Sequence, residues 1–146
     1  MAARTVFAAL THVRCVLAAC LLVSAACTSS GVVGPTVPLN QRFTLAVGES
    51  ATIDRTAVRL GFVGVTGDSR CTADAVCIQG GDALVHVRVT DRGATSAYEL
   101  HTGDGQRAQV LHGSLRIQLV ELQPYPFSGR PTAPGDYRAT FTASGP

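Results

Sequence analysis

A period of two constrains this chain more than any other feature. From Ala83 to Thr90, apolar Ala83, Val85, Val87 and Val89 alternate with polar His86, Arg88 and Thr90. Such alternation puts the two sets on opposite faces of an extended strand. The same rhythm returns elsewhere. Phe43, Leu45 and Val47 alternate with Thr44 and Ala46 until Gly48-Glu49-Ser50 ends the run, and Val58, Leu60 and Phe62 alternate with Arg59 and Gly61. Leu115, Ile117 and Leu119 alternate with Arg116 and Gln118, and Tyr137, Ala139 and Phe141 with Arg138, Thr140 and Thr142. Tyr98 and Leu100 mark a further strand, and the Asp104-Gly105 turn predicts that Gln106 to Leu111 returns as the second arm of a hairpin.

Seven to eight short strands with Gly, Asp and Pro turns, and no amphipathic helix after Cys27, predict an all-β fold. The expected architecture is an antiparallel β-sandwich or small barrel. Thr72 to Val76 has room for one helical turn. Pro124, Pro126, Pro131 and Pro134 exclude a central strand, because proline cannot donate to a ladder. That segment reads as a surface loop, with Tyr125 and Phe127 as its anchors onto the body.

Upstream of the strands, Arg14 to Ser30 has the make-up of a bacterial lipoprotein signal. Arg4 and Arg14 supply a positive start, Cys15 to Ala26 form an uncharged apolar run, and small residues precede Cys27. Twelve residues are too few for a spanning helix, which needs roughly 20. Two cysteines compete for the lipid. Leu17-Ala18-Ala19 before Cys20 is closer to the usual lipobox than Val23-Ser24-Ala25-Ala26 before Cys27, but Cys20 leaves only five residues after Arg14. Cys27 is therefore the expected lipidation site, with ordinary cleavage and no lipid as the alternative.

The expected organisation is a signal peptide over 1–26, a flexible tether over 27–40 and a β domain over 41–146. About 120 residues remain after cleavage, enough for one core but not two. The tether follows from its Ser, Gly, Thr and Pro content without a repeating apolar face. All twelve basic residues are arginine, and the two upstream ones account for the net charge of +2. The rest of the chain has ten arginines against ten acidic residues. No basic stripe is left for nucleic acid and no polybasic patch for anionic lipid.

Cys71 and Cys77 are the remaining cysteines, an even pair suited to an oxidising compartment. A structural disulfide is the expected reading. A redox dithiol is the alternative, but the spacing is not C-x-x-C and no lysine or adjacent histidine is present to depress a thiol pKa.

Asp68-Ser69-Arg70-Cys71, five residues, then Cys77-Ile78-Gln79-Gly80-Gly81 and a strand form an arrangement that resembles a motif of small exported bacterial proteins, many of them lipoproteins. Those proteins typically read D-S-R-C-P, then C-V-W-A-G before a strand. Their later pattern, an apolar strand, a Pro-Tyr-Pro loop and a closing strand with a tyrosine, is similar to Leu115 to Thr142. The resemblance covers most of residues 41–143, with Thr72, Gln79 and Gly80 departing from it. It implies an exported β domain and points to no particular activity.

Asp68 can accept amides in a turn, and Arg70 can grip a carboxylate or carbonyl with its fork of donors. They either shape the disulfide loop or form a recognition loop for an envelope protein or glycan. Other chemistry lacks the required spacing. His86, His101 and His112 would have to meet to bind zinc. Asp74 and Asp82 lack the glycine-centred pattern of a calcium loop. Ser69 and Ser114 have no nucleophile-elbow context, and Glu99 and Glu121 form an acid–base pair only if a cleft joins them.

The expectation is a cell-envelope lipoprotein, held to the membrane by its N-terminal lipid, whose domain binds or stabilises without catalysis and without a cofactor. Inhibition of an envelope hydrolase and, further off, a metal-dependent enzyme are the alternatives. With two membranes, Thr28 in place of aspartate after Cys27 favours the outer one.

Overall fold

The computed structural model describes residues 34–145, and the expected signal peptide and lipidation site, Cys27, lie outside them. Nine strands build two sheets: β1 (Thr36–Val37), β2 (Arg42–Ala46), β3 (Ser50–Ile53), β4 (Val58–Asp68), β5 (Ala83–Asp91), β6 (Ala94–His101), β7 (Gln109–His112), β8 (Leu115–Gln123) and β9 (Arg138–Ser144). One sheet runs β1-β3-β4-β5-β6 and the other β2-β9-β8-β7. Every pairing is antiparallel except β1 with β3. The arrangement is a sandwich, not a closed barrel, and the alternating residues face inward as expected. Leu60, Phe62, Val85, Val87, Val89, Ile117, Ala139 and Phe141 are all buried. Phe62 meets Phe141 edge-on between the sheets at 6.3 Å, and Phe43 lies 6.1 Å from Phe141.

Two expectations are corrected. Gln106 to Leu111 does not return beside the strand of Tyr98: β6 pairs with β5, whereas β7 pairs with β8 in the opposite sheet. The turn at Asp104 therefore crosses between sheets, with the Ala108 amide donating to the Asp104 carbonyl at 2.8 Å. Part of the segment expected as a tether over 27–40 is instead folded, because β1 lies within it. Val37 is buried, and the Thr52 and Asp54 amides donate to the Pro35 and Val37 carbonyls. A single apolar residue between prolines has no period, yet it covers an otherwise open edge of β3. β3 itself, with Ala51 and Ile53 fully buried, is too short to stand out in the sequence. Thr72 to Val76 forms a turn, with the Ala75 amide donating to the Thr72 carbonyl, and no helix.

Bulges interrupt the register of two strands. β4 slips register between Phe62 and Gly64 and again between Val65 and Gly67, and β8 slips between Leu119 and Glu121. An extra residue bends a strand and changes which face the following side chains occupy. In β8 the buried series Leu115, Ile117, Leu119 thus resumes at Leu122. Asp68, at the end of β4, is brought beside the end of β8 and the start of β9.

Candidate functional site

One end of the sandwich carries two long loops, the disulfide loop over 69–82 and the proline loop over 124–137. Register places them together, since Asp68 pairs with Ala83 in one sheet and Gln123 with Arg138 in the other. Ser69 closes the base of the disulfide loop: its amide and hydroxyl donate to the Asp82 carbonyl at 2.7 and 3.0 Å. Gly81 lies so close to this turn that a Cβ would collide with the Ser69 carbonyl, which explains the glycine. Cys71 and Cys77 form the expected disulfide, with Cα atoms 5.9 Å apart.

Arg70 and Asp68 are the centre of this end. Arg70 Nε donates to Asp68 Oδ1 at 2.8 Å and Nη2 to Oδ2 at 2.6 Å, a two-pronged ion pair. Nη1 also donates to the Leu122 carbonyl and Nη2 to the Pro124 carbonyl at 2.8 Å, beyond a cis Gln123–Pro124 bond. The Tyr137 hydroxyl donates to Asp68 Oδ2 at 3.1 Å, and the Tyr125 ring lies over the guanidinium at 5.1 Å. The two side chains are 8% and 9% exposed. Burial alone would raise the Asp68 carboxyl, but the hydrogen bonds and charge of Arg70, with Tyr137, outweigh it and hold the carboxyl below its ordinary value. Burial first, then the Asp68 charge, pushes the Tyr137 phenol up.

These contacts join the end of β4 to the ends of β8 and β9, so one ion pair ties the two sheets. Of the two readings of Asp68 and Arg70, the geometry favours the shaping of the loop: both groups are turned inward and occupied. Tyr125 acts as the expected anchor through its ring over Arg70, whereas Phe127 pairs with Arg130 of its own loop; both rings are half exposed. The loops are also laced directly. The Ala73 amide donates to the Pro126 carbonyl at 2.9 Å, the Ser128 amide to Asp74 Oδ1 at 3.0 Å, and the Thr72 and Ser128 hydroxyls are 3.1 Å apart.

Beside the brace, a cleft of about 290 Å³ is lined by Arg70, Gly81, Thr102, Glu121 and Tyr125 among others. Behind Gly81, His101 is buried with both ring nitrogens against carboxylates: Nδ1 is 2.5 Å from Asp82 and Nε2 3.2 Å from Glu99. Burial opposes ionisation of Asp82, yet the Gly103 amide and His101 prevail and keep its pKa low. His86 reaches Thr66 at 2.6 Å and Glu99 at 3.8 Å, while His112 bonds Tyr98 at 2.9 Å from the other sheet. The three histidines do not converge, and among the described residues no group of three or more His, Cys, Asp or Glu is placed to hold a metal ion. Asp74 and Asp82 serve different partners, Ser69 is held in the loop base, and Ser114 lies in the β7–β8 turn. Glu99 and Glu121 stand on different sheets.

What this end turns outward is apolar. Val76 and Ile78 flank Cys77 and are exposed as fully as in an open chain, at 102% and 104%, and Tyr125 and Phe127 are half exposed. Reasoning on the sequence missed these side chains as a group; their signal was two β-branched residues in a loop with no strand rhythm. The chain matches no family model, no curated protein and no solved structure.

Proposed function

We propose that this chain is a bacterial cell-envelope lipoprotein, acylated at Cys27, whose β domain acts by contact and not by catalysis through its braced loop pair. The observation that carries the reading is the contrast at that end of the sandwich. Buried Asp68 and Arg70 tie the bases of two loops together, while Val76 and Ile78 are presented fully to the outside. Holding exposed apolar side chains on a stiff support lowers the ordering cost of binding, which is how a contact surface gains affinity. The disulfide supports an oxidising compartment, and the apolar run before Cys27 supports export and anchoring.

Inhibition of an envelope hydrolase is the competing role, favoured by the same rigid loop with a disulfide at its base. Two measurements test the proposal. The mass of the mature amino terminus reports acylation at Cys27. A photo-crosslinking residue at position 78 in cells reports what the loop touches, with position 111 as the comparison. Adducts from 78 and none from 111 are expected; a mature protein free of lipid, or no adduct from 78, overturns it.

A further inference from the structure

We propose that Val76, Ile78, Tyr125 and Phe127 form an apolar cap that seats on the lipid surface itself, giving the domain a second attachment and a fixed orientation. The inference rests on the anchored reading above and names the occupant of the same loops. Six large apolar residues are exposed among the described ones, and four of them belong to this cap; Val63 lies along β4 and Leu111 on β7. Both loops that carry them stand at the same end of the sandwich, hydrogen-bonded to each other and braced by Arg70.

Charge fits a bilayer. Asp74 is the sole charged residue in 72–81 and 123–129, and its carboxylate accepts the Ser128 amide. Branched aliphatic side chains favour the acyl region, and aromatic rings with a polar tip, such as Tyr125, favour the headgroup level.

Chain direction adds an independent argument. β1 runs parallel to β3, pairing Thr36 with Thr52, so Gly34 lies level with Ser50, which pairs with Gly61 in antiparallel β4. Gly34 therefore enters β1 from the side on which β4 runs on to Asp68, the end that carries the cap. Cys27 is seven positions before Gly34, and seven residues reach at most about 25 Å. The seven positions from Gly61 to Asp68 cover at most about 23 Å of strand. A lipid on Cys27 is thus in reach of the level of Asp68, where the loops begin. Once one attachment is made, the cap acts at the high effective concentration of a linked site, and a weak apolar contact suffices.

The chain contains no tryptophan, so a single one reports its own surroundings. Ile78→Trp and, at the opposite end of the sandwich, Leu111→Trp are prepared as full chains. Each purified exported protein is combined with phosphatidylcholine vesicles, with and without brominated acyl chains. The expected result is a shift of the Ile78→Trp emission to shorter wavelength with several-fold stronger bromine quenching than for Leu111→Trp. No response at 78, the result expected for a loop that meets only a protein, overturns the proposal. Equal responses at both positions overturn it too, as does a shift without vesicles that grows with protein concentration, which would mean a second copy on the cap. If Ile78→Trp melts below the unaltered protein, Val76→Trp takes its place. Failure of the anchor is read separately from the mass at Cys27, and the cap is then judged on vesicles added to the unlipidated protein.

Discussion

Asp68 and Arg70 stand two residues apart and face each other through two parallel hydrogen bonds of 2.8 and 2.6 Å, with both side chains turned away from water. Adjacent turn residues usually spend their charges on solvent. Here the pair is the joint between sheets, since Arg70 also reaches the carbonyls of Leu122 and Pro124, and Asp68 receives the Tyr137 hydroxyl.

Arg70→Ala leaves a buried carboxylate and two carbonyls without their donor, and a change of this kind costs about 3–5 kcal/mol. Urea unfolding measures it. Tyr137→Phe removes one hydrogen bond from the same carboxylate and costs about 1 kcal/mol. A loss for Arg70→Ala no larger than that for Tyr137→Phe would show that the pair is not the joint.

Acid destabilises the domain through the same carboxylates. Asp68 and Asp82 both titrate below 3.8 in the folded protein. A depressed folded pKa stabilises above the unfolded value, and the contribution is lost as pH falls through the folded one. Stability is therefore flat with respect to these groups above about pH 5 and drops below about pH 4. Asp68→Asn lowers the whole curve and flattens its acid limb; an acid limb as steep as that of the unaltered protein argues against the assignment.

Removing the disulfide has a modest cost. Cys71→Ser with Cys77→Ser releases a loop of five residues between the bridged positions, for which the chain-entropy model gives about 2 kcal/mol. The ladder pairing Asp68 with Ala83 stays closed by Ser69 and Asp82, so amide exchange in β4 and β5 should be unchanged while 72–80 loses protection. Loss of protection across both strands would assign the bridge a larger role.

Val37 separates a folded edge from a tether. Its side chain is buried in β1 against the core, and Val37→Ala deletes two methyl groups, worth about 1.5 kcal/mol at roughly 0.8 each. A tether residue would tolerate the change within a few tenths of a kcal/mol.

Much of the fold is legible in the chain because a strand with one buried face writes its period into the side chains. β4, β5, β8 and β9 show it plainly. β3 and β1 do not, as four and two residues are too short to establish a rhythm. The destination of Gln106 to Leu111 is not legible for another reason: a turn signal reports that the chain reverses, not which sheet receives it. At the site, the disulfide pairing was legible from cysteine number and spacing, and the Asp-Ser-Arg-Cys element stood out. Its orientation did not, because whether a charge faces inward depends on what arrives from more than fifty residues away.

The sequence by itself determined the all-β class, the alternating core, the cysteine pair and the balanced charge of residues 27–146. These properties are local, carried by residue type and by spacing of a few positions. Tertiary structure alone decided that Arg70 meets Leu122 and Pro124, that Tyr137 reaches Asp68, and that Val76 and Ile78 are left outside. Each of those outcomes depends on which strand ends meet across the two sheets, and that is set by pairing and register with partner strands, which no local pattern names.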